Sequence, residues 1–445
     1  MEKIVIKGGK KLTGSIFVSG AKNVALKTLV AACLTDQEVL IKNIPLISDF
    51  MVMVEIIREL GGEVKIIDHA AHVHMKKFKK EKISLEEAAK IRTSAMFLSP
   101  LLARTGKAVI PNPGGCRIGA RPIDRTINGL EKMGYSVFYK SRDGFFYLKK
   151  KSDFKKEEIV YKFEKSTHTG TETLIMVAAL LKGTKITLEN AASEPEIDEL
   201  INLLNQMGAK ILRTKERTIA IEGVNKLNGT EFTIGPDRNE VVTLAVAAIV
   251  TKGDLLVKGA QNVDLSPFIQ RLELANGGVE SQKEGIRFFY KGELISVNVE
   301  TSIYPGFMTD WQGPWAILMT QAKGESVIHE TVYENRFGYV GELKKMGANI
   351  TLFSPKVKNP EKVYNFNMSD NNPSYFHAIR VKGPTKLHNA VVEVSDLRAG
   401  ATLVLAAMSA IGESIIFGAE HLDRGYEKLE VGLGSLGANI KRIKE

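Results

Sequence analysis

Met207-Gly208-Ala209-Lys210-Ile211 closes an apolar helical pattern with a glycine and opens an alternating, β-branched one immediately after it. Glycine there supplies the left-handed turn that ends a helix, and the alternation that follows is that of a half-buried strand. The same hand-over stands at Leu60-Gly61-Gly62-Glu63-Val64, Met133-Gly134-Tyr135-Ser136-Val137, Asn276-Gly277-Gly278-Val279, Met346-Gly347-Ala348-Asn349-Ile350 and Leu436-Gly437-Ala438-Asn439-Ile440. From Gly62 through Gly134, Gly208, Gly278 and Gly347 to Gly437 the steps are 72, 74, 70, 69 and 90 residues. A period held this closely marks one supersecondary unit repeated along the chain.

A second series interleaves with the first. An apolar helical run, a Gly or Asp turn and a β-branched strand follow one another at Lys182-Gly183-Thr184-Lys185-Ile186-Thr187-Leu188, and the pattern recurs from Asp36, Gly106, Gly253, Gly324 and Gly412. Each unit therefore reads strand, helix, strand, helix, strand, and the chain reads as six copies in an α/β architecture. Only the last interval is longer, by about 20 residues. The surplus falls in residues 353–386, where Pro355, Pro360, Pro373 and Pro384 punctuate a polar stretch that predicts an inserted loop or an extended hairpin.

A chain of 445 residues with 44% hydrophobic and 25% charged residues can bury sizeable cores in two or more domains, which excludes a fibrous or disordered class. Two cysteines, Cys33 and Cys116, without paired spacing predict a reducing compartment and no zinc or CxxC redox site. No secretory signal and no run of 18 or more apolar residues is apparent, so the expectation is a soluble cytoplasmic protein without membrane contact. The net charge of +10 favours an anionic partner. The densest basic runs, residues 74–82 and Leu148-Lys149-Lys150-Lys151, follow strand-like segments with no aromatic or helix-turn-helix signature. They read as solvated edges and not as a nucleic-acid surface.

One junction of every unit, where a strand ends and the long apolar helix begins, is polar or glycine-rich. The six are Ser19-Gly20-Ala21-Lys22-Asn23, Ile91-Arg92-Thr93-Ser94, His168-Thr169-Gly170-Thr171-Glu172, Gly235-Pro236-Asp237-Arg238-Asn239, Met308-Thr309-Asp310-Trp311-Gln312 and Ser395-Asp396-Leu397-Arg398. Ser, Thr and Asp are ordinary N-caps. Lys22, Arg92, Arg238 and Arg398 are not, because the helix dipole disfavours cations at its start. Free N–H groups beside fixed cations predict a site for a strongly anionic, phosphate-bearing ligand.

Pro111-Asn112-Pro113-Gly114-Gly115-Cys116-Arg117-Ile118-Gly119-Ala120-Arg121-Pro122-Ile123-Asp124-Arg125 has the composition of a surface loop and sets a thiol among three arginines, which acidify it. Cys33, inside the apolar helical run from Leu26 to Leu34, reads as a small buried hydrophobe. Asp310, after a Pro/Gly turn, is a candidate general base or a cap. Asp396 and Arg398 share one turn and either neutralise each other or hold a carboxylate and a phosphate. His69, His72 and His74 lie on one alternating strand as a solvated face, without carboxylates at metal spacing. HExxH, Walker and strand-borne GxGxxG signatures are absent, so no metal and no cofactor is expected.

At these residues the chain resembles the UDP-N-acetylglucosamine 1-carboxyvinyltransferase family of enolpyruvyl transferases. The resemblance rests on the unit count, SGAKN at Lys22 and Asn23, PGGCRIGARPID around Cys116, the Asp310 segment, ENRF at Arg336, SDLRAG at Asp396 and Arg398, and DRGYE at Arg424, in order along nearly the whole chain. It implies two domains of three units each, arranged as inside-out α/β barrels with helices within and sheets outside, and an active site in the interdomain cleft. The implied boundaries are residues 22–235, carrying the Cys116 loop, and residues 1–21 with 236–445.

The resemblance further implies transfer of the enolpyruvyl group of phosphoenolpyruvate to the 3′-hydroxyl of UDP-N-acetylglucosamine. Cys116 would donate a proton and Asp310 would accept one. Lys22, Arg121 and Arg398 would bind phosphate and carboxylate, supported by Arg92, Asp396 and Arg424. Asn23, the run Arg121, Pro122, Ile123, Asp124, Arg125, the run Ser166, Thr167, His168, Thr169, and Asp310 and Val332 would hold the nucleotide sugar. Arg336 would be structural or hold a closed form. Trp311 and Trp315, beside Asp310, are expected to reshape the sugar pocket. The competing expectations are a shikimate 3-phosphate acceptor, against which Cys116 and GARPID argue, and a basic scaffold with no enzymatic activity.

Overall fold

The computed structural model describes residues 2–112 and 123–444. The chain divides into two compact units, one of residues 2–19 and 236–444 and the other of residues 20–112 and 123–235. Among the described residues each unit contains three sheets.

Six helices follow the six polar junctions. They are α1 (Lys22–Ala32), α2 (Leu98–Thr105), α3 (His168–Ala179), α4 (Arg238–Val250), α5 (Gln312–Thr320) and α6 (Leu397–Ser409). In α1 ten of eleven residues are buried and in α4 twelve of thirteen, so neither helix has a solvent face and both belong to an inner layer. The sheets carry the outer layer. In Lys185–Glu189, Ile186 and Leu188 point into the core while Lys185 is exposed, the period-2 pattern of a sheet wet on one face. The expected layering, helices within and sheets outside, is therefore present. No sheet closes into a barrel among the described residues.

The repeat is richer by one strand than its sequence reading. Glu158–Lys162, α3, Lys185–Glu189, the helix Pro195–Gln206, Lys210–Lys215 and Thr218–Glu222 form one unit. The first two strands pair in parallel across the α3 crossover, and the last two form a hairpin whose return strand pairs antiparallel with Lys185–Glu189. The return strand follows too tight a turn to separate from its partner by periodicity. In the second unit the first strand shrinks to one bridge, Lys82 to Val109, beside a three-stranded sheet. Among the six breaks, Gly61, Gly134, Gly208, Gly347 and Gly437 take positive φ. At the fourth break it is Asn276, not a glycine, that does so (φ 65°). The surplus before the sixth unit is an extended hairpin: Ile350–Phe353 and Ala378–Gly383 pair antiparallel and residues 354–377 connect them.

Two strands are exchanged where the chain passes between the units. Thr13–Phe17 precedes α1, yet it pairs in parallel with Asp254–Lys258, after α4. Glu231–Thr233 precedes α4, yet it pairs with Val39–Lys42, after α1. Glu2–Lys7 completes the sixth unit, lying between Glu413–Phe417 and Asn439–Lys444. At the first passage Gly20 packs so tightly that a Cβ would sit 1.8 Å from the Asn43 carbonyl oxygen. Asn43 Nδ2 in turn donates to Ile234 O at 2.9 Å.

Candidate active site

In the unit of residues 2–19 and 236–444, the three helix starts are linked by side chains. A single 3₁₀ turn, Thr309–Trp311, leads into α5 and presents Asp310. Arg336 Nη2 lies 2.6 Å from Asp310 Oδ1 and Arg398 Nη2 lies 3.1 Å from Oδ2, so each carboxylate oxygen has its own guanidinium. Arg336 also approaches Asp396 Oδ1 at 3.8 Å. Asp396 is the N-cap of α6 and accepts from the N–H groups of Arg398 (2.9 Å) and Ala399 (3.1 Å). All four charged side chains are largely buried, which strengthens their mutual attraction and raises the cost of orphaning any one of them.

Two uncharged contacts fix Arg398. Its Nη1 donates to the Tyr426 hydroxyl at 3.2 Å, and Tyr426 in turn meets Thr243 Oγ1 of α4 at 2.8 Å. Burial works against the charge on Arg398, but Asp310, then Tyr426 and Asp237, more than offset it and raise its pKa above the ordinary guanidinium value. α4 is joined to α5 by Trp311 Nε1, which donates to Asn239 Oδ1 at 3.1 Å.

Beneath Asp310 lies a wholly buried acid, Glu330. One oxygen accepts from Thr309 Oγ1 (2.8 Å) and Gln312 Nε2 (3.1 Å), and the other from the N–H groups of Val332 (2.8 Å) and Tyr333 (3.0 Å). Glu330 thereby ties the turn bearing Asp310 to the loop bearing Val332 and Arg336. Burial pushes its carboxyl above the usual range, against the pull of Arg336 and these donors.

The other unit has a polar set of its own. Lys22, the first residue of α1, pairs through Nζ with Asp49 Oδ2 at 2.7 Å, and Asn23 beside it is partly exposed. Thr167 caps α3, its Oγ1 accepting from Gly170 N–H at 3.3 Å, and Arg217 donates to the buried Ser166 Oγ at 3.4 Å. Arg92, Ile123, Thr126, Thr169 and Thr173 line one small, mostly apolar hollow. Lys27 Nζ and His168 Nε2 each lie 3.2 Å from Glu172 Oε1.

Residues 6–433 match the EPSP synthase (3-phosphoshikimate 1-carboxyvinyltransferase) family. The UDP-N-acetylglucosamine 1-carboxyvinyltransferase of Koribacter versatilis is 40% identical over 449 residues, which cover 100% of this chain and 97% of that protein. The chain belongs to the EPSP synthase family of carboxyvinyltransferases. UDP-N-acetylglucosamine 1-carboxyvinyltransferase 1 of Staphylococcus aureus is 38% identical, with full coverage of both chains. Among solved structures, the enolpyruvyl transferase NikO from Streptomyces tendae superposes with a TM-score of 0.84 at 22% identity, covering 100% of this chain and 99% of NikO. EPSP synthase from Acinetobacter baumannii gives 0.71 at 16% identity, covering both chains fully. These two likenesses show the shared two-domain fold.

In this carboxyvinyltransferase Asp310, Arg336, Asp396 and Arg398 form one cluster, and Val332 is tied to it through Glu330. The Arg398 guanidinium pairs with Asp310, while Asp396 takes the Arg398 backbone N–H and lies near Arg336, so the second pair does not neutralise itself. Arg92, Ile123 and Thr169 meet at one hollow. Asp124 opens the helix Asp124–Lys132, and the Arg125 carbonyl accepts from the Tyr161 hydroxyl. Arg424 ends the 3₁₀ turn Ala419–Arg424, and its neighbour Tyr426 is the residue that touches Arg398. Cys116, Arg121 and Pro122 lie outside the described residues.

Trp311 and Trp315 require a correction. They are 1% and 0% exposed and pack edge-on against Phe268 and Phe307, so they build the core beneath Asp310 and present no exposed surface to a ligand. Cys33 is buried, as a structural cysteine should be, and burial pushes its thiol up to about 12. His72 and His74 contact Glu38 and the Asp36 carbonyl. Glu330 and Lys27 are not singled out in the sequence, and Glu172 and Tyr426 stand in quoted runs without a role of their own. Lys27 and Glu172 had a signal, each being a charge within an otherwise apolar helical run.

Proposed function

We propose that the chain transfers the enolpyruvyl group of phosphoenolpyruvate to the 3′-hydroxyl of UDP-N-acetylglucosamine and releases inorganic phosphate, the step that commits this sugar to peptidoglycan. The observation that carries this reading is end-to-end identity of 40% and 38% with proteins bearing that name, against 16% with the EPSP synthase structure. The absence of any helix long and apolar enough to cross a membrane among the described residues is compatible with a cytoplasmic reaction.

The reaction is an addition followed by an elimination. Attack of the hydroxyl oxygen on C2 of phosphoenolpyruvate forms the C–O bond as C3 takes a proton. Loss of a C3 proton then expels phosphate and restores the double bond. The first step needs an acid and a base. We assign the acid to Cys116, whose arginine-rich run favours proton transfer, and the base to Asp310. Lys22, Arg121 and Arg398 bind the phosphate and carboxylate, with Arg92, Asp396 and Arg424 in support, so fixed cations stabilise the charge. Arg336 holds Asp310 until the hydroxyl arrives. The nucleotide sugar takes Asn23, residues 121–125, Ser166 to Thr169 and Val332. Residues 22–235 thus carry the thiol and residues 236–445 the base.

Phosphate release from phosphoenolpyruvate tests the reading. Release with UDP-N-acetylglucosamine and none with shikimate 3-phosphate is expected, with loss of activity after fosfomycin alkylates Cys116. Release with shikimate 3-phosphate instead would favour the acceptor named in the family description of residues 6–433. Release with neither would sink the function and leave the fold.

A further inference from the structure

The unit of residues 20–112 and 123–235 has a buried charge group that the proposed chemistry leaves unused. Glu172, wholly buried in α3, has Lys27 Nζ of α1 and His168 Nε2 of its own helix both 3.2 Å from Oε1. Neither contact has hydrogen-bond alignment, and Oε2 has no hydrogen-bond partner. A carboxylate so placed is costly unless cations stand beside it. Lys27, 4% exposed, is one such cation, and among the described residues the imidazole of His168 is the only other positively chargeable side chain that contacts Glu172.

His168 faces two ways. Nε2 is sealed against Glu172, while the side chain as a whole keeps 26% of its surface in solvent. The charged groups around the ring are Glu172 on α3, Lys27 on α1 and Glu194, just before the helix Pro195–Gln206. Burial disfavours the imidazolium and Lys27 repels it, but Glu172 and Glu194 outweigh both, so the ring holds its proton to a higher pH than a free histidine. The ring is the first residue of α3, within the run proposed to receive the nucleotide sugar.

We propose that His168, held by Glu172 and Lys27, is a proton-dependent ligand for the diphosphate of the nucleotide sugar and takes up a proton from solvent as that dianion binds. The inference rests on the nucleotide-sugar reading of Ser166 to Thr169. Glu172 and Lys27 act through His168 and are positioning residues. An arriving dianion stabilises the imidazolium further, so linkage requires net proton uptake at pH values where the free ring is partly neutral.

Calorimetric titration of the full chain with UDP-N-acetylglucosamine, slightly above neutral pH and in two buffers of different ionisation enthalpy, tests this. The wild type should show a buffer-dependent heat worth a fraction of one proton. His168→Gln should bind about tenfold more weakly, the worth of one charge-assisted hydrogen bond, and show no uptake. His168→Lys, cationic throughout, should restore affinity without uptake. Glu172→Gln should move the pH dependence of affinity to lower pH. Tight wild-type binding with buffer-independent heat would overturn the proposal, as would wild-type pH dependence in His168→Gln. Absence of any binding would instead sink the nucleotide-sugar reading on which it rests.

Discussion

Asp310 has one arginine on each oxygen, and the base proposed there would work only when an incoming hydroxyl takes the place of one partner. Asp310→Ala is expected to lower kcat by roughly 10²- to 10⁴-fold, the usual worth of a positioned base, with a much smaller change in KM. A change confined to KM would make Asp310 a clamp. Tyr426→Phe removes one donor–acceptor contact to Arg398 and one to Thr243 while keeping the ring in place. At about 1 kcal/mol per lost contact, KM for phosphoenolpyruvate should rise several-fold with the melting temperature little changed. Glu240, on α4, accepts from the Ser19 N–H at 3.2 Å, and burial, then Asp237, push its carboxyl up to about 7. The fold therefore favours its neutral form. That contribution is complete below the ordinary carboxyl pKa and lost as pH rises through about 7. Glu240→Gln should flatten the pH dependence of thermal stability across that interval, and an unchanged profile would refute the assignment. At this scale the sequence exposed the residues proposed to meet substrate, because they interrupt apolar patterns at helix starts. It concealed Glu330 and Tyr426, whose worth lies in partners distant along the chain.

The core helices meet closely, and one glycine sets how closely. A Cβ on Gly313 in α5 would lie 2.2 Å from Thr402 Oγ1 in α6, whose hydroxyl donates to the Arg398 carbonyl at 2.8 Å. Gly313→Ala should therefore push apart the two helices that hold Asp310 and Arg398. A loss of about 1–3 kcal/mol is expected, together with a fall in kcat, and an unaffected thermal melt would mean that Thr402 swings away freely. Helix ends were the most legible elements, since glycine in the left-handed region has few substitutes. Asn276 is the exception: asparagine tolerates that region, and the two glycines after it leave the turn residue ambiguous in the sequence. Three of the return strands, after residues 68–69, 216–217 and 283–284, were hidden because a two-residue turn barely interrupts an alternating pattern.

For the molecule as a whole, six similar units were visible in spacing alone, but the sharing of strands among them was not, since pairing partners about 190 residues or more apart leave no local trace. Glu2–Lys7 and Asn439–Lys444 run antiparallel with Glu2 opposite Lys444, and Glu2 forms ion pairs with Arg442 and Lys444. A short linker joining these ends, with new ends opened in residues 354–377, should give a circular permutant that keeps the melting behaviour of the parent. Failure to fold would show that the long connection is itself part of the structure.

The strand exchange also orders events during synthesis on the ribosome. Residues 20–235 contain every strand of their own three sheets, so that half can complete its folding while the remainder is still being translated. Thr13–Phe17 must wait for Asp254–Lys258, and Glu2–Lys7 must wait for partners that begin at Glu413. Until those partners emerge the nascent chain carries unpaired strands, and Glu2–Lys7, with Ile4 and Ile6 on one apolar face, is the kind of segment that holdase chaperones shield. Chains released from the ribosome that end at residue 412 should be far more protease-sensitive at residues 2–7 than the full chain, and equal sensitivity would refute the order.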